Sequence, residues 1–262
     1  MLQTVYFNIW RTAMNTFRQS QIKEYIEKKH VVTIKELQQL IPNVSLMTIH
    51  RDLDALEQIG AIVKVRGGAR AVRHSSDLGF DIRIQENISG KNMIADKAMQ
   101  LIQQGSTIFL DASTTNLILA RSLPDIPLHV ITTCPNIAIS LCKLPNVHIT
   151  LCGGTLNRKN MALSGQNTLD MLHDINIDMA FIGVSGCSVE SGFTCGTEGD
   201  MLIKRRVIQK ARTTVLMCDH TKFSRLMPYT FAHMTDVQYL ISDVEIPEPI
   251  LQQTKEANTA II

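Results

Sequence analysis

Residues Ser45 to Ala69 read SLMTIHRDLDALEQIGAIVKVRGGA, and the spacing of the apolar positions decides how the front of the chain folds. Ile49, Leu53, Leu56 and Ile59 recur every three or four residues, which puts them on one face of a helix. Ser45 precedes that run and can cap it, while Gly60 stands where it should end. Thr48, His50 and Arg51 are left on the outward side. Ala61 to Val65 then alternates, with Lys64 pointing outward, and runs into Arg66-Gly67-Gly68, the pattern of a β-wing.

Upstream, Phe17, Ile22, Tyr25 and Ile26 form a helical stripe over Phe17 to Lys29. Thr33-Ile-Lys-Glu36 has the capping-box form, so a second helix should start there and run to Leu40, before Pro42 and Asn43 break it. Two short helices, a tight turn and a wing make a winged helix-turn-helix over residues 16–73, with the motif at about 33–52. The second helix of such a motif can enter a DNA major groove. Arg51 then suits a guanine edge or a phosphate, Thr48 a phosphate or a thymine methyl, and His50 either. Ser45, Lys35, Lys64, Arg66, Gly67, Gly68 and Arg70 complete the candidate DNA-contacting set, the cations through sequence-independent phosphate attraction. The plain alternative for Arg51 is an ion pair with Asp54 or Glu57 along its own helix.

Charge is divided unevenly. Residues 1–75 hold 11 Lys and Arg against 6 Asp and Glu, whereas the remaining 187 hold 15 against 18. A basic front beside a mildly acidic remainder fits a front domain that meets a polyanion. The six cysteines sit among apolar neighbours without a Cys-x-x-Cys pair or metal-finger spacing. They read as small buried hydrophobes of a reducing cytosol, and no metal or cofactor is implied. No apolar run has the length of a membrane span and the opening residues lack a signal-peptide pattern, so a soluble cytoplasmic protein is expected. Residues 1–15 read as an extension, with Met14 an alternative start.

After a polar linker at 74–80, residues 81–262 change rhythm. β-rich runs at Thr107 to Leu110, Leu128 to Thr132, Val147 to Leu151, Met179 to Val184, Thr213 to Cys218 and Gln238 to Ile241 alternate with helical segments. The helical segments are Ile94 to Gln103, Thr115 to Leu123, Asn136 to Leu144, Gln166 to Asp174 and Met201 to Ala211. This predicts an α/β domain, Rossmann-like, with a mainly parallel sheet whose ligands gather at the carboxyl ends of the strands. Those ends carry Asp111-Ala-Ser-Thr-Thr115, Gly153-Gly154-Thr155 with Arg158, Gly183-Val-Ser-Gly186 and Asp219-His-Thr-Lys222. Hydroxyls, amides, cations and a few carboxylates suit a phosphorylated polyol.

The run from Arg18 to Ala69 resembles the N-terminal domain of the DeoR family of bacterial transcription regulators, whose signature approximates Val-Ser-x-x-Thr-Ile-Arg-Arg-Asp-Leu-x-x-Leu-Glu-x-x-Gly followed by a His-Gly-Gly-Ala wing. His50 stands where the family has its first arginine, and Arg66 replaces the wing histidine. The first change can alter base preference or make affinity depend on pH. "FLDASTT", "ITTCPNIA", "LCGGTLNRKNMALSG", "FIGVSG", "GTEGDMLIKRRVIQKA" and "VLMCDHTKF" resemble that family's sensor domain, which is related in fold to ribose-5-phosphate isomerase. The resemblance implies a homo-oligomer that binds double-stranded operator DNA and senses a phosphorylated sugar. By position, the candidate effector contacts are Asp111, Ser113, Thr114, Thr115, Gly153, Gly154, Arg158, Lys204 and Lys222, with Ser185 and Glu198 beside them. Ser113 replaces a usual glycine, Ser185 an aspartate, and Thr197-Glu198-Gly199 an Asn-Glu-Glu type segment.

The leading expectation is a transcription regulator, more specifically a repressor of a carbohydrate operon. An alternative is a sugar-phosphate isomerase with a DNA-binding appendage, in which Glu198 or Asp219 would act as base with Lys222. The absent aspartate at position 185 argues against it. A protein-binding winged helix is a third reading, which predicts little salt dependence of DNA affinity.

Overall fold

The structure, a computed structural model, describes residues 18–26, 28–29, 31–58, 62–71 and 79–262. Phe17, Ile59, Gly60 and Ala61, the 1–15 extension and the 74–78 part of the linker lie outside the described residues. The chain divides into two compact units, Met1–His74 and Ser75–Ile262.

In the first unit, helical residues 18–26 (α1) are followed by β1 (Val31–Thr33), α2 (Ile34–Leu40), α3 (Leu46–Gln58), β2 (Ile62–Val65) and β3 (Gly68–Ala71). The capping box forms as its residues require: Thr33 Oγ1 accepts the Glu36 N–H at 3.3 Å and the Glu36 carboxylate accepts the Thr33 N–H at 2.8 Å. Ser45 Oγ likewise accepts the Thr48 N–H at 3.2 Å and starts α3. Ile49, Leu53 and Leu56 are buried with Ile22, Ile26, Leu37 and Ile62, so the apolar stripe does fasten α3 to its own unit. The wing carries a third strand that was not anticipated. β3 pairs antiparallel with both β2 and β1, because Val31 to Thr33 lies extended just before the α2 cap. Asp52 is buried on α3 and accepts the Arg18 guanidinium, at 2.9 Å from Nη2, which ties α1 to α3.

The second unit runs α4 (Phe80–Arg83), α5 (Ile88–Met99), β4 (Thr107–Leu110), α6 (Thr114–Ser122), β5 (Leu128–Thr132), α7 (Pro135–Leu141), β6 (Val147–Leu151) and the hairpin β7 (Thr155–Asn157) with β8 (Ala162–Ser164). It continues through α8 (Gln166–His173), β9 (Ile177–Gly183), β10 (Gly186–Ser188), β11 (Gly192–Cys195), α9 (Glu198–Lys210), β12 (Ala211–Met217), β13 (Tyr229–Ala232), β14 (Tyr239–Ile241), α10 (Glu248–Ala257) and β15 (Ala260–Ile261). Seven strands form one parallel sheet in the order β15-β14-β12-β9-β4-β5-β6. Alternation along each strand feeds two cores: Ile108, Leu110, Phe181 and Val215 enter one, and Phe109, Ala180, Ile182 and Leu216 the other.

The helix expected at Ile94 to Gln103 instead spans Ile88–Met99. It is capped by Asn87, whose side chain accepts the Gly90 N–H and whose φ of 46° places it in the left-handed region. Five cysteines are buried as expected, and Cys142 is exposed. Burial pushes the Cys152 thiol up to about 11 and Cys195 up to about 12, which keeps both protonated and inert.

Candidate functional site

On the first unit, α3 presents Met47, Thr48, His50 and Arg51 beside its N-terminus. Met47 and Arg51 are exposed, Thr48 and His50 half-buried. The alternative partners of Arg51 are already occupied: the Lys64 ammonium pairs with Asp54, and the Lys64 N–H donates to Glu57 at 2.7 Å. Arg51 makes no hydrogen bond or ion pair among the described residues. Lys64 points away from the core, as expected, and is tethered to α3 by this surface ion pair. Ser45 and Thr48 share a hydroxyl bond of 2.9 Å. Lys35 and Arg66 are exposed, and Arg70 is half-buried with a partner of its own.

The two wing glycines differ. Gly67 is exposed at the turn with φ 82°, the left-handed conformation that favours glycine. Gly68 is buried, and a Cβ there would lie 2.0 Å from the Val32 carbonyl oxygen. Its place is in the packing of β3 against β1, not on the DNA-facing surface.

On the second unit, chain direction across the sheet reverses between β4 and β9, and a cleft of about 640 Å³, open mouth included, lies at their carboxyl ends. Among the expected contacts, Asp111, Ser113, Thr114, Thr115, Ser185, Lys204 and Lys222 line it. Gly153, Gly154, Arg158 and Glu198 do not. The Gly153 carbonyl accepts the Thr168 hydroxyl at 2.5 Å, Gly154 packs on Ser164, and Arg158 is exposed on the β7–β8 turn. Glu198 is exposed on the first turn of α9, where Asp200 is the carboxylate that faces the cleft.

Asp111 serves as a strut rather than a free ligand. Its Oδ1 accepts Ser113 N at 3.0 Å and Asn116 Nδ2 at 2.7 Å, while Oδ2 accepts Gly183 N at 3.0 Å and lies 3.0 Å from Lys204 Nζ. Lys204 Nζ also donates to the Gly183 carbonyl at 2.7 Å and lies 3.3 Å from Asp200. Burial opposes the Lys204 charge, but Asp200 and Asp111 outweigh it and hold the ammonium well above its ordinary range. Burial pushes the Asp200 carboxyl up, against the pull of Lys204.

Arg83, Lys91, Asn160, Asp200 and Arg225 also line the cleft and were not anticipated. Lys91 is buried on α5 and donates to the Glu86 carbonyl at 2.6 Å. Burial, and then the nearby Lys222, push its pKa down to about 8. Lys222 is 8% exposed, and its ammonium has an ion pair with Asp219 at 3.7 Å but no hydrogen bond among the described residues. The buried hydroxyls of Thr114 and Thr115, on the first turn of α6, are likewise without one. Cations, hydroxyls and amides at a helix start are groups able to hold an anion, and they share the cleft with the carboxylates of Asp111, Asp200 and Asp219.

A winged helix-turn-helix unit together with a parallel α/β unit bearing a polar cleft defines a two-part DNA-binding regulator. Residues 18–75 match the DeoR-like helix-turn-helix domain and residues 86–244 the DeoR C terminal sensor domain. The chain belongs to the DeoR family of transcriptional regulators. It is 31% identical to the HTH-type transcriptional regulator GolR of Listeria innocua, over 93% of this chain and 96% of that one. It is 33% identical to the HTH-type transcriptional repressor GlcR of Bacillus subtilis, over 85% and 86% respectively. With the HTH-type transcriptional regulator YgbI of Escherichia coli it shares 35% identity over 88% and 91%. A ribose 5-phosphate isomerase A from Methanocaldococcus jannaschii aligns over 53% of this chain and 55% of its own, at 18% identity and a TM-score of 0.39. The near full-length relatives are regulators, so the isomerase alternative is set aside. No helix among the described residues is long and apolar enough to cross a membrane.

Proposed function

We propose that this regulator represses a carbohydrate operon and is controlled by a phosphorylated sugar bound in the β4/β9 cleft. The carrying observation is Lys222, a buried ammonium with no hydrogen bond among the described residues, in one cleft with Lys91 and the unspent hydroxyls of Thr114 and Thr115. A phosphate dianion answers each of these groups: charge for the lysines, acceptor oxygens for the threonines and the α6 amides. The relative GlcR of Bacillus subtilis is a transcriptional repressor, and repression is part of this reading.

In the same reading, α3 enters the major groove with Arg51 at a base edge or phosphate. Met47, four residues earlier and 64% exposed, offers apolar surface for a thymine methyl. His50, Thr48 and Ser45 meet neighbouring bases or phosphates, and Lys35, Arg66, Gly67 and Arg70 approach the backbone. A homo-oligomer presents two heads to a two-fold operator. The effector acts by binding one arrangement more tightly than the other, because equal affinity for both would shift nothing.

The test is a mobility shift on the protein's own promoter region with a panel of phosphorylated sugars. At least one should release or strengthen the complex, and the response should disappear in Lys222→Met. DNA binding that no phosphorylated sugar alters would remove the sensing half of the proposal.

A further inference from the structure

We propose that Asp243, which stands outside the effector cleft, is the positioning residue for two of the cleft's lysines, Lys91 and Lys222, and that it works through Asn87 and His220. The proposal rests on the reading of the cleft as a phosphate site and concerns what holds its cations in place. None of the three side chains lines the cleft, yet two of them lead directly into it. Asn87 caps α5, and its carbonyl accepts the Lys91 N–H at 3.0 Å, one turn along. His220 opens the short turn His220–Lys222, which closes where the Lys222 N–H donates to the Asp219 carbonyl at 2.9 Å.

Asp243 follows β14, and its side chain is 4% exposed. Its Oδ1 accepts the His220 backbone N–H at 2.7 Å, while Oδ2 accepts Asn87 Nδ2 at 2.9 Å and lies 2.6 Å from His220 Nδ1. Burial pushes the Asp243 carboxyl up, but the hydrogen bonds from Asn87 and His220 outweigh it and hold the group below the ordinary carboxylate range. One ionised carboxylate thereby ties the start of α5 to the turn after β12. The neighbouring positions are shaped by this junction. Asn87 adopts a φ of 46°, a conformation that glycine takes at less cost, so its side chain is what the position requires. At Gly90 a Cβ would run into both the Asp243 carboxylate and the Asn87 amide. The lysines need such a restraint because they repel: after burial, Lys222 is the strongest influence lowering the pKa of Lys91. Like charges relax apart unless the segments that carry them are fixed, and any reorganisation needed to gather them again on binding is subtracted from affinity.

Isothermal titration of the full chain with glycerol 3-phosphate and with inorganic phosphate tests this. Asp243→Asn leaves one acceptor oxygen for donors that the carboxylate divides between two, and it should weaken both probes by about tenfold. Asn87→Gly keeps the left-handed backbone, removes only the side chain and should act alike; it also serves if the first variant folds poorly. Combining Asn87→Asp with Asp243→Asn exchanges donor and acceptor and should restore affinity to within about threefold of the parent. In a Lys222→Met background Asp243→Asn should cost less than in the parent, since Asp243 acts through the lysines. A residue that only stabilised the fold would lower the thermal midpoint, leave the affinity of the folded protein unchanged and add fully to Lys222→Met. Parent-like affinity in both Asp243→Asn and Asn87→Gly, or full additivity with Lys222→Met, overturns the positioning role and leaves the phosphate site standing. A parent protein that binds neither probe overturns the phosphate reading and the positioning role with it.

Discussion

Lys204 Nζ lies 3.0 Å from the Asp111 carboxylate, and both side chains are almost completely enclosed at the carboxyl ends of β4 and β9. The pair joins three segments that are distant in sequence, because Asp111 also holds Gly183 and Asn116, and Lys204 also holds the Gly183 carbonyl. Removing one partner leaves a buried charge and several orphaned donors. Asp111→Ala should therefore cost about 3–5 kcal/mol of sensor-domain stability, read by urea denaturation. Asp111→Ala combined with Lys204→Met should recover part of that loss. A single variant as stable as the parent would mean that Asp111 is a ligand contact and not a strut.

Lys91 gives the cleft a pH dependence whose sign can be worked out. Its pKa, pushed down to about 8 by burial and by Lys222, rises when an anion binds beside it. Binding then takes up a proton near pH 8, and affinity for glycerol 3-phosphate should fall as pH rises from about 7.5 to 9.5, a range in which the phosphate itself stays dianionic. Titration in buffers of different ionisation enthalpy measures the proton uptake directly. Lys91→Met should bind more weakly and lose this dependence; a flat profile in the parent would place the anion away from Lys91.

How far the sequence disclosed these groups follows from where they sit. The six anticipated strands are runs rich in branched and aromatic residues, so their positions were legible to within a residue or two, even at the edge strand β6, where only Val147 is buried. The short edge strand β15, the four-residue α4 and the two hairpins lack the length to show a period. The first turns of α5 were hidden because Gly90 sits there, where a Cβ would lie 2.2 Å from the Asp243 carboxylate. In the cleft, hydroxyls at strand ends were legible because chain direction alone delivers them. Lys91 was not, since a lysine in a polar helical pattern reads as solvated. On α9 the sequence pointed to Glu198, but two residues of helix turn the side chain by roughly 200°, and it is Asp200, in register with Lys204 one turn on, that faces inward.

The paired wing glycines separate a conformational demand from a packing demand. Gly67→Ala meets open space at φ 82° and should cost about 1–2 kcal/mol in the head domain. Gly68→Ala drives a Cβ into the Val32 carbonyl, so β1 and β3 must part, and the loss should reach about 3 kcal/mol or more. Thermal melts of the full chain followed by circular dichroism should show the head domain of the first variant melting several degrees below the parent and that of the second in a much earlier, separate transition. Equal losses would contradict the packing assigned to Gly68.

Salt dependence distinguishes the cations of the DNA-facing surface from one another. Lys64 is already neutralised by Asp54, whereas Arg51 and Arg66 are exposed on α3 and at the wing turn. Each phosphate contact releases condensed counterions, so losing one reduces the slope of log affinity against log salt by about one. Arg66→Ala should lower the slope by that amount, while Lys64→Ala should leave it nearly unchanged. Arg51→Ala should weaken operator binding by about tenfold to a hundredfold and, if the guanidinium reads a base edge, relax sequence preference at that position with little change in slope. Fluorescence anisotropy at several salt concentrations, on operator and on unrelated duplex, gives both quantities. A slope that falls equally for Lys64→Ala and Arg66→Ala would mean that the Lys64–Asp54 pair opens on DNA and that the tether is not maintained in the complex.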